Sequence, residues 1–129
     1  MESKVFDILV VGSGPAGLSA AVNGRVRNKS VAMVSGRKNS YKLEKAAVIE
    51  NYLGFESISG SDLADVFFRH AQNKGVEFFD GGLVGIYDMG EYWSALASDQ
   101  QVYQAKTVVL ATGSVQKAAI DGEERLLGM

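Results

Sequence analysis

The chain has 129 residues, 13 of them basic and 15 acidic, and no cysteine. This length fits one globular domain, and the missing cysteine excludes disulfides, thiolate metal sites and iron–sulfur clusters from these residues. No basic stretch suits nucleic acid, no apolar stretch reaches the ~18 residues that span a membrane, and no secretory signal opens the chain, so we expect a cytoplasmic protein.

The first 35 residues predict a β-α-β unit. Residues 5–11 are a nearly continuous apolar run rich in β-branched side chains, which is typical of a central parallel strand covered on both faces. Apolar residues then recur at helical spacing after Pro15, whose missing N–H is not needed in the first turn of a helix. Residues 31–34 predict a second short buried strand.

The middle of the chain predicts a long ordered loop and a second helix. Residues 36–60 have no sustained period, although they contain several apolar side chains. Loops of this length are often functional. Residues 59–62 have the S-x-x-D form of a capping box, and Lys74-Gly75 is a typical helix stop. Residues 76–79 predict a further strand.

The last part predicts an antiparallel meander and a return to the parallel sheet. Three loosely alternating segments, 83–87, 92–97 and 101–105, are separated by turn residues. Residues 107–110 are again a continuous β-branched run, which we expect beside the first strand. The fold class is therefore α/β.

A glycine-rich motif joins the first strand to the first helix. Residues 12–17 read Gly-Ser-Gly-Pro-Ala-Gly, a G-x-G-x-x-G motif in the β-α-β context that gives it meaning. Gly12 permits a tight turn, Gly14 leaves room for a pyrophosphate, and Gly17 allows close packing of helix and strand. The helix N-terminus supplies N–H groups and a partial positive charge. The motif predicts a dinucleotide site; the alternative is a plain glycine-rich turn.

The acid that usually binds the ribose is absent from its expected place. Dinucleotide sites commonly have Asp or Glu about 20 residues after the glycines, but the second strand here ends in Val34-Ser35-Gly36-Arg37-Lys38. The Ser35 hydroxyl and backbone would then serve the ribose. Alternatively, Arg37 and Lys38 bind the 2′-phosphate of an NADP-type cofactor, or are simply solvated.

Four segments carry a family resemblance: GSGPAGLSAA at 12–21, IENYLGF at 49–55, ISGSDL at 58–63 and VVLATGS at 108–114. Together they resemble the first part of the FAD domain of low-molecular-weight thioredoxin reductases and related class II pyridine nucleotide-disulfide oxidoreductases. The resemblance implies a three-layer ββα Rossmann-like domain, with a three-stranded meander packed over a parallel sheet. In that family a flavin takes a hydride from NADPH and passes electrons to a cysteine pair that reduces a thioredoxin-like protein or another disulfide. It also implies a homodimer.

The resemblance implies which residues bind FAD, and we expect no catalytic or metal-binding residue in this chain. The residues expected to contact the diphosphate are Gly12, Ser13, Gly14, Pro15 and Ala16, and those expected at the adenosine ribose are Ser35 and Gly36. The backbone at Leu83 would contact the adenine, and Lys42 and Asn51 would contact the flavin end. The segment formed by Ala111, Thr112 and Gly113 would pass near the cofactor. The alternatives are a loop-capping role for Asn51 and a simple strand end at Thr112 and Gly113.

Two departures from the family concern the flavin ring. Residues 40–43 read Ser-Tyr-Lys-Leu where family members commonly have Gly-Gly-Gln-Leu, and Leu53 replaces a proline. Lys42 thus stands where a glutamine would bond the flavin, and a lysine pointing inward there would favour the reduced anion. The first alternative function is therefore a flavoprotein that takes electrons from ferredoxin or another non-nicotinamide donor.

Much of the family's machinery lies outside these 129 residues. The family continues into an NADPH domain with a C-x-x-C motif and a final segment of the FAD domain. We therefore expect residues 1–129 to be a truncated N-terminal segment of an FAD domain that retains FAD partly or not at all. Two further alternatives are a non-catalytic domain stabilised by self-association and a plain NAD(P) Rossmann domain.

Overall fold

The computed structural model describes residues 4–35 and 41–114. Their elements, in chain order, are β1 (Val5–Val11), α1 (Pro15–Val26), β2 (Val31–Ser35), α2 (Tyr41–Glu44), α3 (Gly60–Asn73), β3 (Glu77–Asp80), β4 (Leu83–Asp88), β5 (Trp93–Ala97) and β6 (Val102–Leu110). The strands form one mixed sheet in the order β3-β2-β1-β6-β5-β4. Within the described ranges, no helix is both long and apolar enough to cross a lipid bilayer.

The parallel half of the sheet is centred on β1. This strand pairs in parallel with β2 on one side and β6 on the other, so that Leu9 is opposite both Ala32 and Val108. Leu9 and Val10 are fully buried. The apolar run of residues 5–11 therefore forms the central strand that the sequence predicted, because both of its faces are covered.

The two faces of the parallel strands carry different layers. On one face, Val10 and Met33 pack with Leu18 of α1 and Ala71 of α3. On the other face, buried residues of β1 and β2 pack with residues of the meander, and the rings of Phe79 and Tyr103 lie 4.9 Å apart. The parallel strands thus have helices on one face and β4, β5 and the first residues of β6 on the other, which confirms the three-layer prediction.

The structure corrects the predicted division between meander and parallel sheet. The segments 101–105 and 107–110 were predicted as two strands, but they form the single strand β6. Its first residues pair antiparallel with β5, and residues 104–110 pair parallel with β1. Lys106 interrupts the apolar pattern without interrupting the strand, since its ammonium lies outside, 3.4 Å from Asp7 Oδ1.

The segment predicted as a loop also contains regular structure. Residues 41–44 form the one-turn helix α2, and Ile49 and Ile58 make an antiparallel bridge with N···O distances of 2.7 and 3.1 Å. The ring of Tyr52 contacts that of Phe67 at 5.4 Å between centroids, which attaches the segment to α3. A single helical turn and a single bridge are too short to produce a detectable period in the sequence.

Candidate nucleotide-binding site

The carboxyl ends of three parallel strands meet at one edge of the sheet. The amide of Gly12, just after β1, donates to the carbonyl of Val34 at 3.0 Å, and the amide of Ala111, just after β6, donates to the carbonyl of Val11 at 2.8 Å. These bonds bring together the glycine turn, the end of β2 and residues 111–113. Open parallel sheets bind their ligands at this edge.

The glycine turn is closely packed against its neighbours. Gly12 has φ +107°, and a Cβ there would overlap the carbonyl oxygen of Ala111. A Cβ on Gly17 would in turn overlap the carbonyl oxygen of Gly12. Side chains at these positions would push α1 and residue 111 away from the turn. This geometry agrees with the roles predicted for Gly12 and Gly17.

The N-terminus of α1 lacks a cap of its own. Gly14 is the N-cap residue, no side chain caps this end, Pro15 is in the first turn and no acidic residue lies there. The first amides of a helix have no acceptor inside the helix, and they carry a partial positive charge. An anionic group such as a diphosphate fits these residues, because it would supply acceptors that the Gly14 N-cap cannot.

A pair of serines lies beside the turn. Ser13 Oγ, in a side chain that is 5% exposed, donates to Ser35 Oγ at 2.9 Å. Ser35 is opposite Asp80 in the β2–β3 pairing, and its carbonyl accepts from the amide of Gly81 at 3.0 Å. Ser13, Ser35 and Asp80 line one cavity with Met33 and Phe78, together with Phe68 and Phe79.

Asp80 is a candidate that the sequence analysis missed. The sequence pattern of dinucleotide sites indicates an acid only at the end of β2, whereas Asp80 is the last residue of the neighbouring strand, β3. A possible signal was the Asp-Gly-Gly sequence of residues 80–82 directly after an apolar strand pattern. The link to Ser35 depends on the pairing of β2 with β3, which are separated in the sequence by α2 and α3.

Lys42 and Asn51, predicted at the flavin end, have different environments. The exposed Lys42 lies in α2, and its Nζ donates to Ser114 Oγ at 2.6 Å. This contact ties α2 to the residues that follow β6. Asn51 is exposed, and its amide makes no hydrogen bond in the described part of the chain. The alternative of a loop-capping role for Asn51 therefore has no contact to support it.

The remaining predicted residues lie at the same edge or beyond the described ranges. Ala16 is exposed in the first turn of α1, and Leu83 starts β4 with its side chain packed against the meander-side core. Thr112 and Gly113 are exposed after β6. Gly36, with Arg37 and Lys38, lies outside the described residues. Within residues 4–35 and 41–114, no group of three His, Cys, Asp or Glu side chains is placed to hold a metal ion.

Comparison with known families decides the affiliation. The sequence model of the pyridine nucleotide-disulphide oxidoreductases matches residues 6–128. The chain belongs to this family. Its relatives include the thioredoxin reductase of Bacillus subtilis (strain 168), which is 34% identical over 128 residues, a match that covers 98% of this chain and 40% of the relative.

Solved structures agree with this affiliation. The thioredoxin reductase of T. acidophilum matches with a TM-score of 0.85 at 34% identity, over 98% of this chain and 41% of that one. A ferredoxin-flavin thioredoxin reductase from Clostridium acetobutylicum matches with a TM-score of 0.80 at 40% identity, over 98% of this chain and 44% of that one. The resemblance and the fold class predicted from the sequence are confirmed. The chain spans about 40% of the length of its curated relatives.

Proposed function

We propose that residues 1–129 form the N-terminal part of the FAD domain of a thioredoxin-reductase-like flavoprotein, and that they bind the adenosine diphosphate half of FAD. The observation that carries this proposal is the N-terminus of α1, which no side chain caps and which follows the close-packed turn at Gly12. The thioredoxin reductase relatives, one of which has flavin in its name, favour a flavin dinucleotide.

Each predicted residue has a defined part in this proposal. The first amides of α1 and the turn at residues 12–16 hold the diphosphate. Ser35 serves the ribose, and the backbone at Leu83 contacts the adenine. Asn51 and Lys42 lie near the flavin end of the cofactor. A bound flavin would supply the electron-transfer chemistry, while this chain's residues bind and orient it.

The reaction of the whole protein is a wider proposal. We infer electron transfer through the flavin to the disulfide of a thioredoxin-like protein or a similar substrate, by a homodimer. The chain has no cysteine, so the disulfide step requires residues outside these 129. The same holds for NADPH, which would bind a second nucleotide domain. A cytoplasmic location remains a prediction from the sequence.

A second candidate concerns the electron donor. The name of the C. acetobutylicum protein includes ferredoxin and flavin. Its sequence is 40% identical to this chain, whereas that of the T. acidophilum enzyme is 34% identical. Lys42 also replaces the family's usual glutamine. The candidate function is reduction by ferredoxin instead of NADPH. Adding reduced ferredoxin or NADPH to the complete FAD-loaded protein, which includes the domains outside these 129 residues, and following the flavin absorbance separates the two, because only the true donor reduces the flavin rapidly and lowers its absorbance.

Ligand-dependent unfolding tests the binding proposal. We expect FAD and ADP to raise the melting temperature of the 129-residue chain and FMN, which lacks the adenosine half, to have little effect. At a free ligand concentration ten times the dissociation constant, the gain in stability is about 1.4 kcal/mol. No response to FAD or ADP, or a larger response to NAD⁺ or NADP⁺ than to FAD, would contradict the proposal and favour a plain nicotinamide-nucleotide domain.

A further inference from the structure

The cavity beside the serine pair contains a carboxylate that the proposed contacts do not use. We propose that Asp80 accepts hydrogen bonds from the ribose hydroxyls of the bound nucleotide, and that it makes the site select an adenosine whose ribose carries no phosphate. This inference rests on the proposed function, since it assigns one more residue to the same nucleotide.

The sheet register places Asp80 where an acid on β2 would otherwise act. Ser35 and Asp80 are direct partners in parallel strands, so their side chains project from the same face of the sheet. Met33 and Phe78 occupy the preceding positions on that face and belong to the core beneath. Asp80 and the two serines are therefore among the residues that line one largely apolar cavity.

The carboxylate of Asp80 has the right hydrogen-bonding capacity for a diol. It is exposed, and it makes no hydrogen bond or ion pair with any described residue. An ionised carboxylate only accepts, and two adjacent ribose hydroxyls offer two donors to its two oxygens. A 2′-phosphate would instead place a second negative charge against it, and like charges in direct opposition are strongly disfavoured.

The size of the cavity leads to the same conclusion. Its volume of about 30 Å³ is the space for about two groups the size of a water molecule. Two hydroxyls fit that volume, and the negative charge of Asp80 is what opposes a 2′-phosphate at its mouth. The inference therefore opposes the alternative, considered from the sequence, that Arg37 and Lys38 bind an NADP-type 2′-phosphate.

Binding of three nucleotides to three proteins tests the inference. The ligands are ADP, 2′-deoxy-ADP and ADP with an added 2′-phosphate. The proteins are the wild-type chain, Asp80→Asn and the control Glu91→Gln, which removes an exposed carboxylate from the turn between β4 and β5. Titration calorimetry gives the dissociation constants, and thermal unfolding without ligand checks the fold of each variant.

We expect the wild-type chain to bind ADP at least about tenfold more tightly than the 2′-phosphorylated ligand. Asp80→Asn should weaken ADP binding by about tenfold. In this variant, the ratio of dissociation constants between 2′-deoxy-ADP and ADP should be smaller than in the wild type. The ratio between the 2′-phosphorylated ligand and ADP should also be smaller. Glu91→Gln should match the wild type. If wild type and Asp80→Asn bind all three ligands alike, the inference is overturned while nucleotide binding stands. If the wild type binds none of them, the proposed function itself fails.

Discussion

The two long helices of this chain begin in opposite ways. At α3, the hydroxyl of Ser59 accepts from the amide of Asp62 at 3.1 Å, and Asp62 adds a negative charge to the first turn. At α1, the N-cap is Gly14, no side chain caps the helix, and no acid lies in the first turn. Among the described residues, a side chain thus accepts from a terminal amide of α3, and the N-cap of α1 offers no such acceptor.

Under the proposed function, this difference separates a helix end with a structural role from one that binds a ligand. Capping by Ser and an acid in the first turn stabilise a helix by about 1 kcal/mol each at most sites. At α1 the described residues supply neither contribution, at the edge where β1, β2 and β6 end, so within residues 4–35 and 41–114 no side chain takes these amides from an anion. The comparison predicts that changes at α1 affect ligand binding and that changes at α3 affect only stability.

The largest effect is expected from an alanine in the glycine turn. Gly12→Ala places a Cβ on the carbonyl oxygen of Ala111 and also forces an L side chain to φ +107°. Gly54→Ala is a matched control, because Gly54 has the same φ and no atom within 4 Å of a Cβ. We expect urea unfolding to show a loss of about 4 kcal/mol or more for Gly12→Ala and of about 1–2 kcal/mol for Gly54→Ala. Equal losses would show that the turn is not closely packed.

An aspartate at the α1 N-cap should change stability and binding in opposite directions. Gly14 has φ −74° and ψ −177°, a conformation that aspartate adopts without strain. Gly14→Asp supplies the missing side-chain cap and a negative charge, and it should stabilise the unliganded chain by about 0.5–1 kcal/mol. It also puts a carboxylate where the diphosphate would lie, and we expect ADP binding to fall at least about tenfold. A variant that is more stable and binds ADP as well as the wild type would refute the assignment of this helix end.

The features that the sequence predicted well are those that depend on consecutive residues. The run of β1, the glycine motif, Pro15 and the capping box at Ser59 each produce a local structure through neighbours in the chain. Their predicted positions agree with the structure to within a residue or two. The same local signals placed the candidate site at the end of β1.

The features that the sequence did not predict depend on contacts between distant residues. Asp80 reaches Ser35 only through the pairing of β2 with β3, and the contact of Lys42 with Ser114 joins residues that are 72 positions apart. The continuity of β6 depends on its pairing with β1. This pairing continues on both sides of Lys106, although the apolar pattern of the sequence is interrupted at that residue. No local pattern encodes such pairings, so the sequence alone does not indicate that Asp80 lies beside Ser35.

A smaller effect is expected at the capped helix. Ser59→Ala removes the acceptor of the Asp62 amide at the start of α3. We expect a loss of about 1 kcal/mol in the free energy of unfolding, measured in urea, with the dissociation constant for ADP unchanged. Ser59→Ala thus removes the side-chain cap from α3, whereas Gly14→Asp adds one to α1. A change in ADP binding for Ser59→Ala would mean that α3 contributes to the site.

The smallest effect is expected at the opposite end of α1, where the chain again satisfies its own polar groups. Asp7 Oδ2 accepts from the amide of Ser30 at 2.8 Å, and Lys106 lies 3.4 Å from Oδ1. The hydrogen bond from the Ser30 amide, with the help of Lys106, holds the pKa of Asp7 below its ordinary value of 3.8. Because the folded state has the lower pKa, the stabilisation by ionised Asp7 is present above about pH 4 and is lost as the pH falls through the folded pKa.

Asp7→Asn tests this region against the ligand site. We expect the urea midpoint of the variant to lie below that of the wild type at neutral pH, and the difference to shrink as the pH is lowered below about 4. Binding of ADP at neutral pH should not change, since Asp7 lies near the start of β1 and the glycine turn follows its end. A midpoint difference independent of pH would mean that the charge of Asp7 is not what stabilises this end. The hydrogen bond from the Ser30 amide would then account for the stabilisation without the charge.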